Sequence, residues 1–201
     1  MGAAGGRDPA DPYLYPGTDV LRNRFGVRDA AALRLLEYAA TTLRAAGAPA
    51  FPPTAAGLLA THRHLFGDVY EWAGRPRTVE MAKGAARFAS VAFLARSLGR
   101  RFDDLAARRH LLGLDAGAFA AGAAHHLSEL NAIHPFREGN GRAMRLHLKH
   151  LAARAGHDLD VRRVPAAEWI AASVEGFGGD ERRMAEVIRA ALVPPGGSPG
   201  S

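Results

Sequence analysis

Apolar positions recur along this chain at helical spacing, and the clearest runs lie in its second half. Phe119, Ala123, Leu127 and Leu130 fall on one face of a helix that Asp115 caps and that runs to Ile133. Met144, Leu148 and Leu151 form the matching face of a helix that follows. Upstream, Asp29 caps a helix running to Ala46 and ended by Gly47, with Leu33, Leu36, Ala40 and Leu43 as its core stripe. Thr54 opens a second helix through Leu65, with Leu58, Leu59 and His62 near one face, and Val69–Gly74 reads as a short helix. Ser90 caps a helix to about Asp104, and Ala166–Val174 and Glu181–Leu192 complete the series. Arg75–Phe88 breaks the pattern. Pro76 stops a helix, Thr78-Val79-Glu80-Met81 alternates, and Lys83-Gly84 turns, so this segment reads as a short surface hairpin. The chain is expected to be all-α, a helical bundle carrying one β-hairpin.

The segment between the two helices of the second half concentrates the chemistry: His134-Pro135-Phe136-Arg137-Glu138-Gly139-Asn140-Gly141-Arg142-Ala143-Met144-Arg145. Gly139 and Gly141 permit positive φ and close approach to a ligand, and their N–H groups would open a helix where amides and dipole favour an anion. Arg142 and Arg145, three apart, share a face of that first turn and suit a polyphosphate. Glu138 would repel phosphate unless it carries a hard divalent cation such as Mg²⁺. His134 is the group suited to moving a proton near neutral pH. Each residue alone fits a plain helix–loop–helix connection; the combination of nest, carboxylate, base and paired guanidiniums points to a site.

Composition narrows the classes. A chain of 201 residues suits one domain with a sizeable core, and the absence of cysteine excludes disulfides and thiol chemistry. No apolar run reaches membrane-spanning length and no hydrophobic signal core follows Met1, so a soluble cytoplasmic protein is expected. The net charge of +6 permits acidic partners, but the arginines come as scattered pairs (Arg100-Arg101, Arg108-Arg109, Arg162-Arg163, Arg182-Arg183), which argues against nucleic-acid binding. His62, His64, His125, His126, His147 and His150 are read as packed or solvated, since no thiolate or carboxylate joins them at ligand spacing. Residues 1–12 are expected to be loose, residues 13–193 to form the domain, and 194–201 to be linker-like.

The motif segment resembles the Fic motif, His-Pro-Phe-x-(Asp/Glu)-Gly-Asn-Gly-Arg-x-x-Arg, at every specified position, and the resemblance extends through His62–Phe88 and Tyr13–Gly26. It implies a Fic-domain bundle with an active-site loop at 134–145, and an enzyme that moves AMP from ATP to a Tyr, Thr or Ser hydroxyl of a target protein. His134 would be the base and Glu138 the Mg²⁺ ligand. Gly139, Asn140, Gly141, Arg142 and Arg145 would hold the phosphates, and Asn131, Ala132 and Ile133 would line the nucleotide site. The resemblance also turns the hairpin at about 75–88 into a flap that docks the target as an added strand, with Met81, Lys83 and Phe88 as the clamp. Many such proteins carry an inhibitory Ser/Thr-x-x-x-Glu-Gly/Asn helix whose glutamate pairs with the arginine at position 145. Outside the motif the chain has Glu175-Gly176, with Ala171 where Ser or Thr is required. The inhibitory helix is therefore expected from a separate small antitoxin, making this a toxin; a domain of a secreted effector is the alternative. A related phosphotransferase of the Doc type carries lysine where this chain has Gly141, which argues against phosphate transfer; phosphocholine transfer is the other variant.

Overall fold

A computed structural model of the chain describes residues 11–83 and 86–194. Its helices are α1 (Ala30–Ala46), α2 (Ala55–Phe66), α3 (Leu94–Ala107), α4 (Ala116–Ile133), α5 (Asn140–Ala155), α6 (Ala166–Phe177) and α7 (Arg182–Ala191). Two strands, β1 (Ala82–Lys83) and β2 (Ala86–Arg87), pair antiparallel with Ala82 opposite Arg87 and Lys83 opposite Ala86. The ladder is thus minimal, and the alternating residues Thr78–Met81 lie outside it. The Gly84 part of the expected turn, all of the expected loose N-terminus except Asp11 and Pro12, and all of the expected linker except Pro194 lie outside the described residues.

Helix α4 is the axis. Its alanines let α3, α5, α6 and α7 approach, while Phe119, Leu127, Leu130 and Ile133 fill the spaces between them. Each large side chain buried there stabilises the fold by about 1.5–3 kcal/mol. The Asp115 carboxylate caps α4 by accepting the Ala118 N–H at 2.9 Å. Helix α5 turns Met144, Leu148 and Leu151 inward, and a second apolar cluster joins α1 and α2 around Leu33, Leu65, Phe66, Val69 and Tyr70. The motif loop spans the gap between these clusters. Among the described residues, no helix is long and apolar enough to cross a membrane.

Three expectations are corrected. The α1 stripe is displaced: Leu33 is buried, but Leu36 and Leu43 are 40% and 77% exposed, and the buried partners of Leu33 are Glu37 and Thr41. The inward face is polar because it meets Arg142 of the motif. Val69–Gly74 is a pair of turns rather than a helix, with Ala73 N–H bonded to Tyr70 O and Arg75 N–H to Trp72 O. Stacking of Tyr70 on Trp72 at 4.4 Å and positive φ at Gly74 hold that shape. The Ser90 side chain caps nothing. It donates to Glu80 Oε1, and that carboxylate accepts the Val91 N–H, opening the 3-10 turn at Val91–Phe93 that leads into α3. Asp11, at the end of the stretch expected to be loose, pairs with Arg137 at 2.9 Å.

Candidate active site

Helix α4 ends at His134, a left-handed residue with φ 49° and ψ 62° whose N–H still bonds Leu130 O at 2.9 Å. Pro135 cannot extend the helical ladder. Phe136 then dives into the core, and Asn140 closes the loop from both sides: its Oδ1 accepts the Phe136 N–H at 2.9 Å and its Nδ2 donates to Phe136 O at 2.7 Å. His62 stacks on the Phe136 ring at 3.8 Å. Its Nδ1 accepts the Gly74 N–H at 2.9 Å, so Nε2 carries the proton and donates to Glu138 O at 3.0 Å. Burial pushes His62 down to about 4, over the opposing effect of its bond to Glu138, so the ring is neutral. Gly139 has φ 82°, and a Cβ there would lie 2.2 Å from Phe66 Cζ, so no other residue fits. Gly141, expected to share that conformation, is instead helical within the first turn of α5; a Cβ there would sit 3.2 Å from the Arg145 guanidinium.

The start of α5 is electropositive. The N–H groups of Asn140, Gly141 and Arg142 meet no acceptor among the described residues, while the Gly139 N–H donates to Glu138 Oε1 at 2.8 Å. Arg142 reaches Glu37 Oε1 at 2.5 Å, Thr41 Oγ1 at 3.3 Å and Glu138 at 3.5 Å, and lies 4.7 Å over the Phe66 ring. Glu37 also accepts from the Tyr70 hydroxyl, and burial with that carboxylate beside it pushes the Tyr70 phenol up. Arg145 forms no ion pair with a described residue. Burial, and then Arg142, hold its guanidinium below the usual arginine value.

On the opposite side of His134 lies the β1–β2 segment. Phe88 stacks on the His134 ring at 3.9 Å and 16°, and meets Phe177 of α6 edge-on at 5.6 Å. The Phe88 N–H bonds Met81 O at 3.2 Å, and the Ala89 N–H bonds Ala132 O at 3.0 Å. Arg77, 2% exposed, donates through Nε to His134 O at 2.9 Å, through Nη1 to Val79 O at 2.7 Å, and through Nη2 to Ala89 O and Ile133 O. A cavity of about 480 Å³ adjoins this side, lined by Arg87, Phe88, Ala89, Arg101 and Ile133 among others.

Glu138, Gly139, Gly141, Arg142 and Arg145 thus adjoin one another at the start of α5, and His134 stands at the other end of the same loop. Asn140 is there too, but its side chain serves the loop's own backbone. Of the stretch expected to line the nucleotide site, Asn131 donates to Ser173 O of α6 at 3.0 Å, Ala132 bonds Ala89, and Ile133 lies in the core. Of the expected clamp, Phe88 touches His134, Met81 bonds Phe88, and Lys83 pairs through its backbone with Ala86. Sequence reasoning missed three participants: Arg77, Glu37 and His62 as the hydrogen-bond donor to Glu138. Glu37 was detectable as a carboxylate one residue off the apolar stripe of α1. Arg77, whose partners are backbone carbonyls and all but Val79 distant in sequence, left no local signal. Of the other histidines, His126 Nε2 lies 3.0 Å from His147 Nε2, His150 faces Phe51, and His125 pairs with Glu181 at 2.9 Å. Among the described residues no three His, Asp or Glu side chains converge as a metal cage. Glu138, a 45%-exposed carboxylate beside open amides, fits the one-carboxylate site that Mg²⁺ uses when phosphates supply other oxygens.

The sequence profile of the Fic/DOC family matches residues 52–152, which include α2, the β1–β2 segment, α4 and the motif loop. The chain belongs to the Fic/DOC family. It is 42% identical to a probable protein adenylyltransferase, y4lH, of Sinorhizobium fredii, over 89% of this chain and 94% of that protein. It is 38% identical to the protein adenylyltransferase VbhT of Bartonella schoenbuchensis, over 91% of this chain but 39% of that longer protein. Among solved structures, the Bartonella tribocorum effector BepC with bound AMPPNP superposes with a TM-score of 0.85 at 28% identity, covering 90% of this chain and 96% of that one. The Fic fold thus extends beyond the profile match to α1, α6 and α7.

Proposed function

We propose that this Fic chain, over residues 13–193, is a protein adenylyltransferase that moves AMP from ATP to a Tyr, Thr or Ser hydroxyl of a target protein. The observation that carries this reading is Arg145: a half-buried guanidinium that forms no ion pair with a described residue, beside the open N-terminus of α5 and next to Arg142. That arrangement calls for a polyphosphate. Protein adenylyltransferases among the relatives and an AMPPNP-bound structural neighbour support a nucleoside triphosphate as its source.

In the proposed reaction the amides of Asn140, Gly141 and Arg142 cradle the α- and β-phosphates, Arg142 holds the β-phosphate side and Arg145 the γ-phosphate. Asn131, Ala132 and Ile133 border the nucleoside. Glu138 would hold Mg²⁺, which when bound offsets the charge of the leaving pyrophosphate. The hairpin takes an extended target segment as an added strand, clamped by Met81, Lys83 and Phe88. His134 accepts the proton of the target hydroxyl as its oxygen bonds to the α-phosphorus and the α–β bridging bond breaks. A positioned base contributes about 10²–10⁴ in rate.

The same open arginine supports a regulatory reading. Glu175, in the Glu-Gly pair nearest the inhibitory pattern, is engaged by Arg183 at 2.6 Å and forms no ion pair with Arg145. A small antitoxin carrying a Ser/Thr-x-x-x-Glu-Gly/Asn helix would seat its glutamate there, and the unpartnered chain acts as a cytoplasmic toxin. Incubation with ATP labelled at the α-phosphate, Mg²⁺ and bacterial lysate tests both. A labelled protein band absent with His134→Ala, and suppressed by a peptide bearing the inhibitory pattern, is expected. Label transferred from the γ- but not the α-position would sink the adenylyl reading in favour of a kinase.

A further inference from the structure

We propose that Arg77 is a positioning residue, a buried guanidinium that ties the base of the hairpin to the backbone of His134 and so sets where the imidazole stands relative to a docked target. The role rests on the adenylyl-transfer reading; the contacts do not. A buried arginine ordinarily pairs with a carboxylate. Here the nearest carboxylate, Glu80, is 3.8 Å away and 64% exposed, a pairing of small worth. The cation is instead satisfied by peptide carbonyls from two directions. Val79 O and Ala89 O stand at the two ends of the hairpin, just outside β1 and β2. Ile133 O and His134 O stand at the end of α4, where the helix dipole concentrates negative charge. The Arg77 N–H adds Pro135 O at 2.7 Å, so the carbonyls of residues 133, 134 and 135 all point at this one residue.

Two features of the site depend on this clasp. One is the left-handed backbone of His134, a conformation that costs a non-glycine residue about 1–3 kcal/mol unless its surroundings enforce it. The other is the placement of Phe88, which neighbours Ala89 and stacks on the imidazole. Backbone and ring of the base are therefore aligned by the same guanidinium, with no contact between Arg77 and the phosphate-binding amides of α5. The planar fork is what allows both sides to be held at once; a lysine ammonium, a single point of charge, reaches one side or the other.

The test uses the full chain and the variants Arg77→Lys and Arg77→Gly. Calorimetric titration with ATP and Mg²⁺ should give Arg77→Lys an affinity within about two-fold of the parent, while transfer of α-label to the lysate target falls about 10–100-fold. Millimolar guanidinium should restore part of the transfer in Arg77→Gly. In hydrogen exchange, the amides of Phe88, Ala89 and His134 should accelerate together in Arg77→Lys, with α7 unaffected. ATP affinity and transfer falling together, in proportion to the unfolded fraction, would mean a merely structural residue and overturn the proposal. So would acceleration on one side of the clasp alone. If the parent transfers no label, the adenylyl reading is what fails, and the exchange comparison still decides whether Arg77 couples the two segments.

Discussion

Two arginines of the motif region, Arg77 buried and Arg145 half-buried, meet opposite surroundings. Arg77 directs its guanidinium at four carbonyls, and its backbone N–H reaches a fifth. Arg145 has no ion-pair partner among the described residues and lies beside another cation, Arg142. Burial costs both of them hydration. On the β1–β2 side the protein itself compensates that cost, so the cation is architecture. On the α5 side it does not, so the cation is a standing preference for an anion. Burial of a charge alone distinguishes nothing; the partners decide whether it holds the fold together or waits for a ligand.

The largest test of this contrast is a pair of equal substitutions with unequal outcomes. Arg77→Met strands the carbonyls of Val79, Ala89, Ile133 and His134 at about 1–3 kcal/mol each, not fully additive. A loss near 4 kcal/mol, about 10 °C in Tm for a chain of this size, is expected in thermal unfolding. Arg145→Met removes a half-buried charge that no described carboxylate offsets and should leave Tm unchanged or slightly raised. Its ATP affinity should drop about 10–100-fold, the worth of a charge-assisted contact. Equal Tm losses in the two variants would erase the distinction.

Acid probes the packing beneath the loop. His62 is pushed down to about 4 by burial, against an ordinary value of 6.5. Between those values the unfolded chain binds a proton that the folded chain refuses. Stability is therefore complete above pH 6.5 and is lost as pH falls towards 4, by about 3 kcal/mol for this residue. His147, also pushed to about 4 by burial, and His126, held well below 6.5, act with the same sign. His62→Gln should flatten, without abolishing, the decline of Tm from pH 7 to 4.5; an unchanged slope would show that His62 titrates in the fold.

Glu37 is the counterweight on the open side, and its removal sharpens the comparison at smaller amplitude. Glu37→Gln weakens the bonds to Arg142 and Tyr70 and should cost about 1–3 kcal/mol in denaturant unfolding. Taking a negative charge from beside the phosphate site should also raise ATP affinity a few-fold. A fall in affinity would mean that Glu37 chiefly holds Arg142 in place.

How much of this was legible in the chain follows from where the partners lie. The inward faces of α4 and α5 were readable, because Phe119, Leu127, Leu130, Leu148 and Leu151 serve apolar packing, and packing repeats at helical spacing. The motif loop was readable because its chemistry is contiguous. Arg77 was not, since most of its carbonyl partners lie far along the chain, His134 57 positions away, and carbonyls have no residue type. Helix α1 misled for a related reason. It carries an apolar stripe, but the side turned inward serves Arg142 through Glu37 and Thr41, so leucines two turns apart end up in solvent. That displacement predicts the smallest effect: Leu43→Glu, at a position 77% exposed, should change stability by less than about 0.5 kcal/mol. Leu33→Glu, on the same helix but 6% exposed, should cost several. Comparable losses at both positions would restore the apolar stripe and leave the polar inward face, with its hold on Arg142, without a basis.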